Sequence, residues 1–349
     1  MATFEYDILT SAHRVMIKVF VCIFILFLVA VTVHGQTVKL TLHPAKVSES
    51  TETYRLFPSA DQQTDADAMP LYEKAIQSMP KGIDYEQIEK WLDQPVEQFP
   101  QEKAEGVIQK HSESLQLVQQ AAKCKKCNCP EWELVGKIPD LYENPYLTTV
   151  LRLWARLEIS RGRYEDALTS IQTAFRMAKH LGQTPTLLQT AFGTAVGHLI
   201  CRELEQFVQA KDSPNLNAGL ANLPEPFFDV ENATQNESAK HKYGDIASRK
   251  RMEMHLKLAF DQMRIYARSL DNKVNALQVV EAIRHYAATH NGQLPQALSD
   301  ISDIEIPNDL ISGKAFMYRQ TTTRATLQSA LPEGGEECYA VHYEIVLKK

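Results

Sequence analysis

The sequence predicts a mainly α-helical chain, an array of helical hairpins followed by a small C-terminal α+β module containing an antiparallel sheet. Three observations predict it. Glycine is scarce, 14 of 349 residues, while Ala, Leu, Gln, Glu and Lys are abundant, which favours helix. Apolar residues recur at helical spacing from Pro145 to about Ala210, one face at a time. The segments Ala315–Ala330 and Glu336–Lys349 are instead rich in β-branched and aromatic residues and are separated by a Pro-Glu-Gly-Gly turn, the pattern of antiparallel strands.

Residues 1–35 read as an export signal. Lys18 precedes the apolar run Val19–Val33, and Val33 and Gly35 are small enough for a signal-peptidase exit before Gln36. The run is short for a spanning helix, which needs about 20 apolar residues. Met16-Ile17-Lys18 makes a compact positive start, whereas residues 1–15 carry Glu5 and Asp7 and look like a mis-assigned start. The rival reading is an uncleaved anchor with Arg14 and Lys18 in the cytoplasm, which tethers the protein to a membrane by this segment alone. Either way the bulk of the chain is expected outside the cytoplasm, periplasmic or secreted.

Residues 36–63 are expected to form an extended polar arm, in which only Thr37–Leu42 alternates like a strand. A helical-hairpin domain is expected over 64–229. Pro70 suits a first helical turn, Pro80–Gly82 ends that helix, and further helices are expected at Tyr85–Leu92 and Gln101–Lys123. Leu147, Val150, Leu151, Trp154 and Leu157 share one face, with Trp154 expected in the core opposite Phe175. Arg161-Gly162-Arg163 is the turn. Ala167, Leu168, Ile171, Ala174, Phe175 and Ala178 form the next stripe, and Leu188 to Leu204 a longer helix. Phe227 and Phe228 are expected to dock on a neighbouring helix. Residues 230–246 are polar and read as a linker. Over 247–349, a seam of Met252, Leu256, Ala259, Met263 and Tyr266 precedes a helix over about 271–289 that packs Val279, Val280 and Ile283 on the strands. Gly292 suits a left-handed cap before Pro295.

Two local patterns resemble tetratricopeptide repeats. Gly162, Tyr164, Ala167, Ile171 and Ala174 match the spacing of that repeat's second helix, and Ala68, Tyr72, Ala75 and Pro80 repeat part of it. No regular period links the two, so the array is tetratricopeptide-like rather than regular. At the C-terminus, Tyr286, Asn291, Gly292, Leu294, Pro295, Leu298, Gly313, Lys314, Phe316 and Tyr318 are similar to a segment of uncharacterised exported bacterial proteins and of the globular part of pseudopilins. The Asp-Pro usual in that loop is replaced by Asn308-Asp309-Leu310, and the prepilin start is missing. The resemblance implies an exported protein of helical hairpins with a pseudopilin-like tail, and no pilus subunit.

The net charge of −6 gives no electrostatic footprint for nucleic acid. No nucleophile elbow, zinc-protease motif, phosphate loop or dinucleotide fingerprint is present. Cys124, Cys127 and Cys129 stand together in CKKCNC. In an oxidising compartment a local disulfide among them is expected; zinc is the alternative, but a closed site needs four ligands and no second Cys pair exists. Cys201 and Cys338 are expected as packed residues, and His198 as a packed histidine. Asp300, Asp303 and Glu305 form an acidic loop expected to be solvated. These readings lead to an exported, non-catalytic interaction or scaffold protein of the cell envelope, with a protein or peptide partner and no cofactor. The alternative is a metal, redox or hydrolytic enzyme built on the cysteine cluster and nearby acids.

Overall fold

A computed structural model describes residues 37–48, 54–129, 145–184, 186–240 and 246–348. The expected export signal lies outside these residues. The protein is mainly helical, with a small mixed sheet near its C-terminus. Its helices are α1 (Met69–Gln77), α2 (Tyr85–Leu92), α3 (Gln101–Lys110), α4 (Ser112–Ala122), α5 (Tyr146–Ser160), α6 (Tyr164–Leu181), α7 (Leu187–Phe207), α8 (Asn217–Ala221), α9 (Val230–Lys240) and α10 (Ile246–Thr289). The strands are β1 (Val38–Leu42), β2 (Thr64–Asp67), β3 (Cys124–Lys126), β4 (Met317–Thr321), β5 (Arg324–Gln328) and β6 (His342–Leu347).

The expected arm is part of the sheet, whose strand order is β1-β6-β5-β4. β4 and β5 form an antiparallel hairpin and β5 pairs antiparallel with β6, as the alternating sequence suggested. β1 instead pairs parallel with β6, Val38 opposite Tyr343 through Leu42 opposite Leu347, so the sheet is mixed rather than antiparallel. Parallel neighbours need a long crossover, and here the crossover is the entire helical body. That arrangement welds the two ends of the described chain together. Leu40 and Leu42 on β1, Ala325 and Leu327 on β5 and Tyr343 and Ile345 on β6 are buried in one cluster with Val279, Val280 and Ile283 of α10.

α5, α6 and α7 pack consecutively. Gly162 adopts φ 69° in the α5–α6 turn and Gly292 adopts φ 71° just after α10, a left-handed conformation that costs a residue with a Cβ. Ala167, Ala174 and Phe175 are fully buried, but Trp154 is only half-buried. Its place inside is taken by Arg152, Leu153, Ala155, Arg156 and Leu157, because α5 is surrounded on nearly every side and polar side chains meet within the protein.

Three further elements depart from expectation. The helix expected over Gln101–Lys123 is broken at His111, whose buried ring donates from Nδ1 to Val107 O (2.8 Å) and accepts the Tyr85 hydroxyl at Nε2 (2.9 Å). The polar linker is helical over Val230–Lys240. Asp229 accepts the Asn232 N–H at 3.0 Å, and Val230 and Ala233 are buried against Leu256, Phe260 and Met263, so two apolar residues suffice to dock a helix whose other faces are polar. The two C-terminal helical segments are one continuous helix, α10.

Candidate functional site

A cleft of about 570 Å³ opens between α5, α7 and α10 on one side and β1, β6 and the turn at 337–341 on the other. The sequence places it through helical spacing: His198, Arg202 and Gln206 recur every fourth residue along α7 and line one wall. Ser269 and Lys273, also four apart on α10, line another.

Beneath that wall lies an ionic network. Glu203 is fully buried between two arginines of α5, accepting Arg152 Nε at 3.2 Å and Arg156 Nε at 2.8 Å. Arg152 also reaches Glu89 of α2 at 2.8 Å, and Arg156 donates to the carbonyls of Leu92 (3.1 Å) and Gln94 (2.9 Å), which close the end of α2. Burial pulls the Arg152 pKa down, but the charges of Glu203 and Glu89 outweigh it and leave the guanidinium held above its ordinary value. Two residues on, Glu205 accepts Lys273 Nζ (2.9 Å) and the Tyr343 hydroxyl (2.9 Å), joining α7, α10 and β6. Burial, then the Lys273 charge, pushes His198 down to about 3, so its ring is neutral; it stacks on Tyr266 and its Nε2 meets Ser269 Oγ at 3.2 Å. Cys338 at the rim is raised by burial to about 11 and is a thiol, not a thiolate.

Arg202 differs from these neighbours. It lines the cleft, half-buried, and makes no hydrogen bond or ion pair among the described residues. Asp93 stands exposed at the rim. The arrangement is a polar recess with one uncommitted guanidinium, suited to an anionic group.

The cysteine cluster lies elsewhere, where β3 pairs with β2 beside the start of α1 and the end of α6. Cys124, Cys127 and Cys129 are buried, and no bond joins them in the structure at the place where a local disulfide is expected. Cys127 Sγ and Cys129 Sγ are 3.3 Å apart, against about 2.05 Å for a bonded pair. Among the described residues no three His, Cys, Asp or Glu side chains gather as a metal site. The acidic loop disperses: Asp300 accepts Ala297 N–H at 2.9 Å and Asp303 pairs with His285 at 2.6 Å.

A smaller recess of about 210 Å³, lined by Asp271, Glu305, Asn275 and Phe227, carries a titratable group that the sequence did not flag. Burial raises Asp271 to about 7, opposed by the hydrogen bond from Phe227 N–H at 3.0 Å. A raised carboxyl pKa means that the folded protein holds a proton which the unfolded chain releases, so this group's contribution is full below about pH 4 and is lost as pH rises through 7. The loss is on the order of 4 kcal/mol. Asp271→Asn, which keeps an oxygen for the Phe227 amide, should therefore gain stability relative to wild type between pH 4 and 8. Urea melts across that range check it; a constant gap between the two proteins contradicts the burial assigned to Asp271.

No helix among the described residues is long and apolar enough to cross a membrane. Compared with known proteins, the chain matches no protein-family model, no curated protein and no solved structure.

Proposed function

We propose that this is an exported, non-catalytic binding protein of the cell envelope whose cleft receives an anionic side chain or chain terminus of a protein or peptide partner. The observation that carries the reading is Arg202, an uncommitted guanidinium in a walled recess whose other strong cations are already paired. A guanidinium fork suits a carboxylate, and the paired network beneath fixes the wall rigidly, so little ordering is needed on binding. His198, lowered to about 3, is too weak a base and the protonated Cys338 is no nucleophile at neutral pH, which favours binding over turnover at these two residues. The helices are read as tetratricopeptide-like, supported by the Gly162 turn and the buried Ala167 and Ala174. The C-terminal segment is read as pseudopilin-like, supported by the Gly292 cap and by the Tyr318 hydroxyl donating to Pro295 O at 3.0 Å. Export rests on the signal pattern of Lys18 to Gly35.

The test is binding of an array of acidic peptides to the mature chain from Gln36. Wild type should retain a subset in a salt-sensitive manner, and Arg202→Glu should weaken that subset by at least about tenfold, or 1.4 kcal/mol. Equal retention by both proteins refutes the cleft. An intact residue 1 or 16 at the N-terminus of a soluble cytoplasmic species refutes export.

A further inference from the structure

The sulfur cluster carries an inference independent of the cleft. We propose that Cys127, Cys129 and Met69 form a three-sulfur site for monovalent copper. Three observations converge on it. First, the fold brings a thioether to the two thiols across the chain: Cys129 Sγ lies 3.7 Å from Met69 Sδ and 3.3 Å from Cys127 Sγ, and all three residues are buried. With metal–sulfur bonds of about 2.3 Å, a trigonal ion needs sulfur–sulfur edges of about 4 Å, so the Cys129–Met69 edge must open by about 0.3 Å and the Cys127–Cys129 edge by about 0.7 Å, a side-chain rotation of the two thiols.

Second, a single carboxylate holds the two halves together. Asp67 accepts the Met69 N–H at 3.1 Å, the Asn128 N–H at 2.9 Å and the Asn128 side-chain amide at 3.1 Å, so it clamps both the start of α1 and the residue between the two thiols. Gln183 accepts the Cys127 N–H at 3.0 Å and Thr184 donates to Cys129 O at 3.3 Å, fixing the loop on the end of α6. Sulfurs positioned by other groups in this way constitute a prepared ligand set.

Third, the surroundings supply the counter-charge. Arg176 is buried, donates to the carbonyls of Cys124 (2.7 Å) and Lys125 (3.1 Å) and to Gln63 Oε1 (3.1 Å), and pairs with no carboxylate among the described residues. Its Nε is a buried donor without a partner. Its charge is felt at Cys124 and Cys127. Binding one Cu(I) replaces the two thiol protons, which leave to solvent; two thiolates, one neutral thioether and one monovalent cation sum to a single negative charge beside that guanidinium. Soft sulfur ligands select Cu(I), and among the described residues no His, Cys, Asp or Glu completes a four-ligand zinc set here. Cys124 is not a member: its Sγ is directed to Gln120 O at 3.6 Å.

The experiment uses the full mature chain, reduced and anaerobic, titrated with Cu(I) against a chromophoric Cu(I) chelator, with sulfur scatterers counted by X-ray absorption. One copper per chain with three sulfur neighbours is expected. Cys127→Ser and Cys129→Ser should abolish retention, and Cys124→Ser should leave it unchanged. Met69→Leu, which keeps the side-chain volume, should fold as wild type by circular dichroism, lose one sulfur neighbour and bind at least about tenfold more weakly, the least cost seen for even indirect ligand supports. Copper lost to the chelator by the wild type overturns the proposal, as does a sulfur count unchanged in Met69→Leu or abolished in Cys124→Ser.

Discussion

Glu203→Ala should lower the free energy of unfolding by about 3–5 kcal/mol, because it strands two buried arginines. Glu203 is fully buried, and Arg152 and Arg156 are each 1% exposed. Removal of the carboxylate leaves Arg152 with Glu89, whose side chain is 44% exposed and screened by solvent, and leaves Arg156 with only the two carbonyls at the end of α2. Neither guanidinium can shed its proton, so the cost cannot be evaded by titration. The net worth of the intact network is a separate quantity: Arg152→Met/Arg156→Leu/Glu203→Leu should recover much of the loss, since well-packed apolar side chains can substitute for a buried ion cluster. Denaturant melts of the single and triple variants measure both. A Glu203→Ala midpoint within error of wild type contradicts the burial of this network and with it the rigid cleft wall.

The helices were legible in the sequence because each stripe at 3.6 spacing faces one core, and the turn at Gly162 and the cap at Gly292 were legible because only a left-handed residue lets the chain reverse there. What stayed hidden was set by residues far apart. β1 alternates like a strand, but nothing local says that its partner is β6 at the opposite end of the chain. Arg152, Arg156 and Glu203 carry no local mark of burial, because charge is usually exposed; the available signal is that the segment Tyr146–Ser160 is apolar around much of its circumference, as an internal helix is. Trp154 shares the helical face of Leu147, Val150, Leu151 and Leu157, yet in a helix enclosed on most sides a large residue on that face can still sit at the margin. Met69 carries no sequence signal as a sulfur partner for Cys129, because the parallel pairing of β2 with β3 alone brings them together. Arg202 is one of many arginines until its neighbours are seen to be paired.

Arg284→Ala should cost a comparable amount, about 3–5 kcal/mol, and should release the N-terminal strand before the helical body unfolds. Arg284 is fully buried and spends its donors on three segments: Glu281 Oε1 and Oε2 at 2.9 Å each, Ser213 O at 2.8 Å, Ser213 Oγ at 2.9 Å and His43 O at 3.0 Å. The last bond anchors the chain just after β1, reinforced by the Ala45 N–H donating to Arg284 O at 3.1 Å and by Asn215 donating to Ala45 O at 3.0 Å. Burial already raises the Glu281 carboxyl and Arg284 partly offsets it, so without the guanidinium Glu281 takes up a proton and becomes a neutral acid in the core. Arg284→Lys should not rescue, because one ammonium cannot span the carboxylate, Ser213 and His43 together. Arg284→Met/Glu281→Leu should be more stable than Arg284→Met alone, since the second change removes the carboxylate left behind. Amide exchange should accelerate in Val38–Leu42 more than in α6, because β1 is an edge strand paired on one side only, and loss of Thr37 and Val38 should open the mouth of the cleft. Wild-type protection of β1 in Arg284→Ala, measured by mass spectrometry at equal denaturant, means that the parallel pairing with β6 holds the strand unaided and that Arg284 is not the tie between the two ends of the chain.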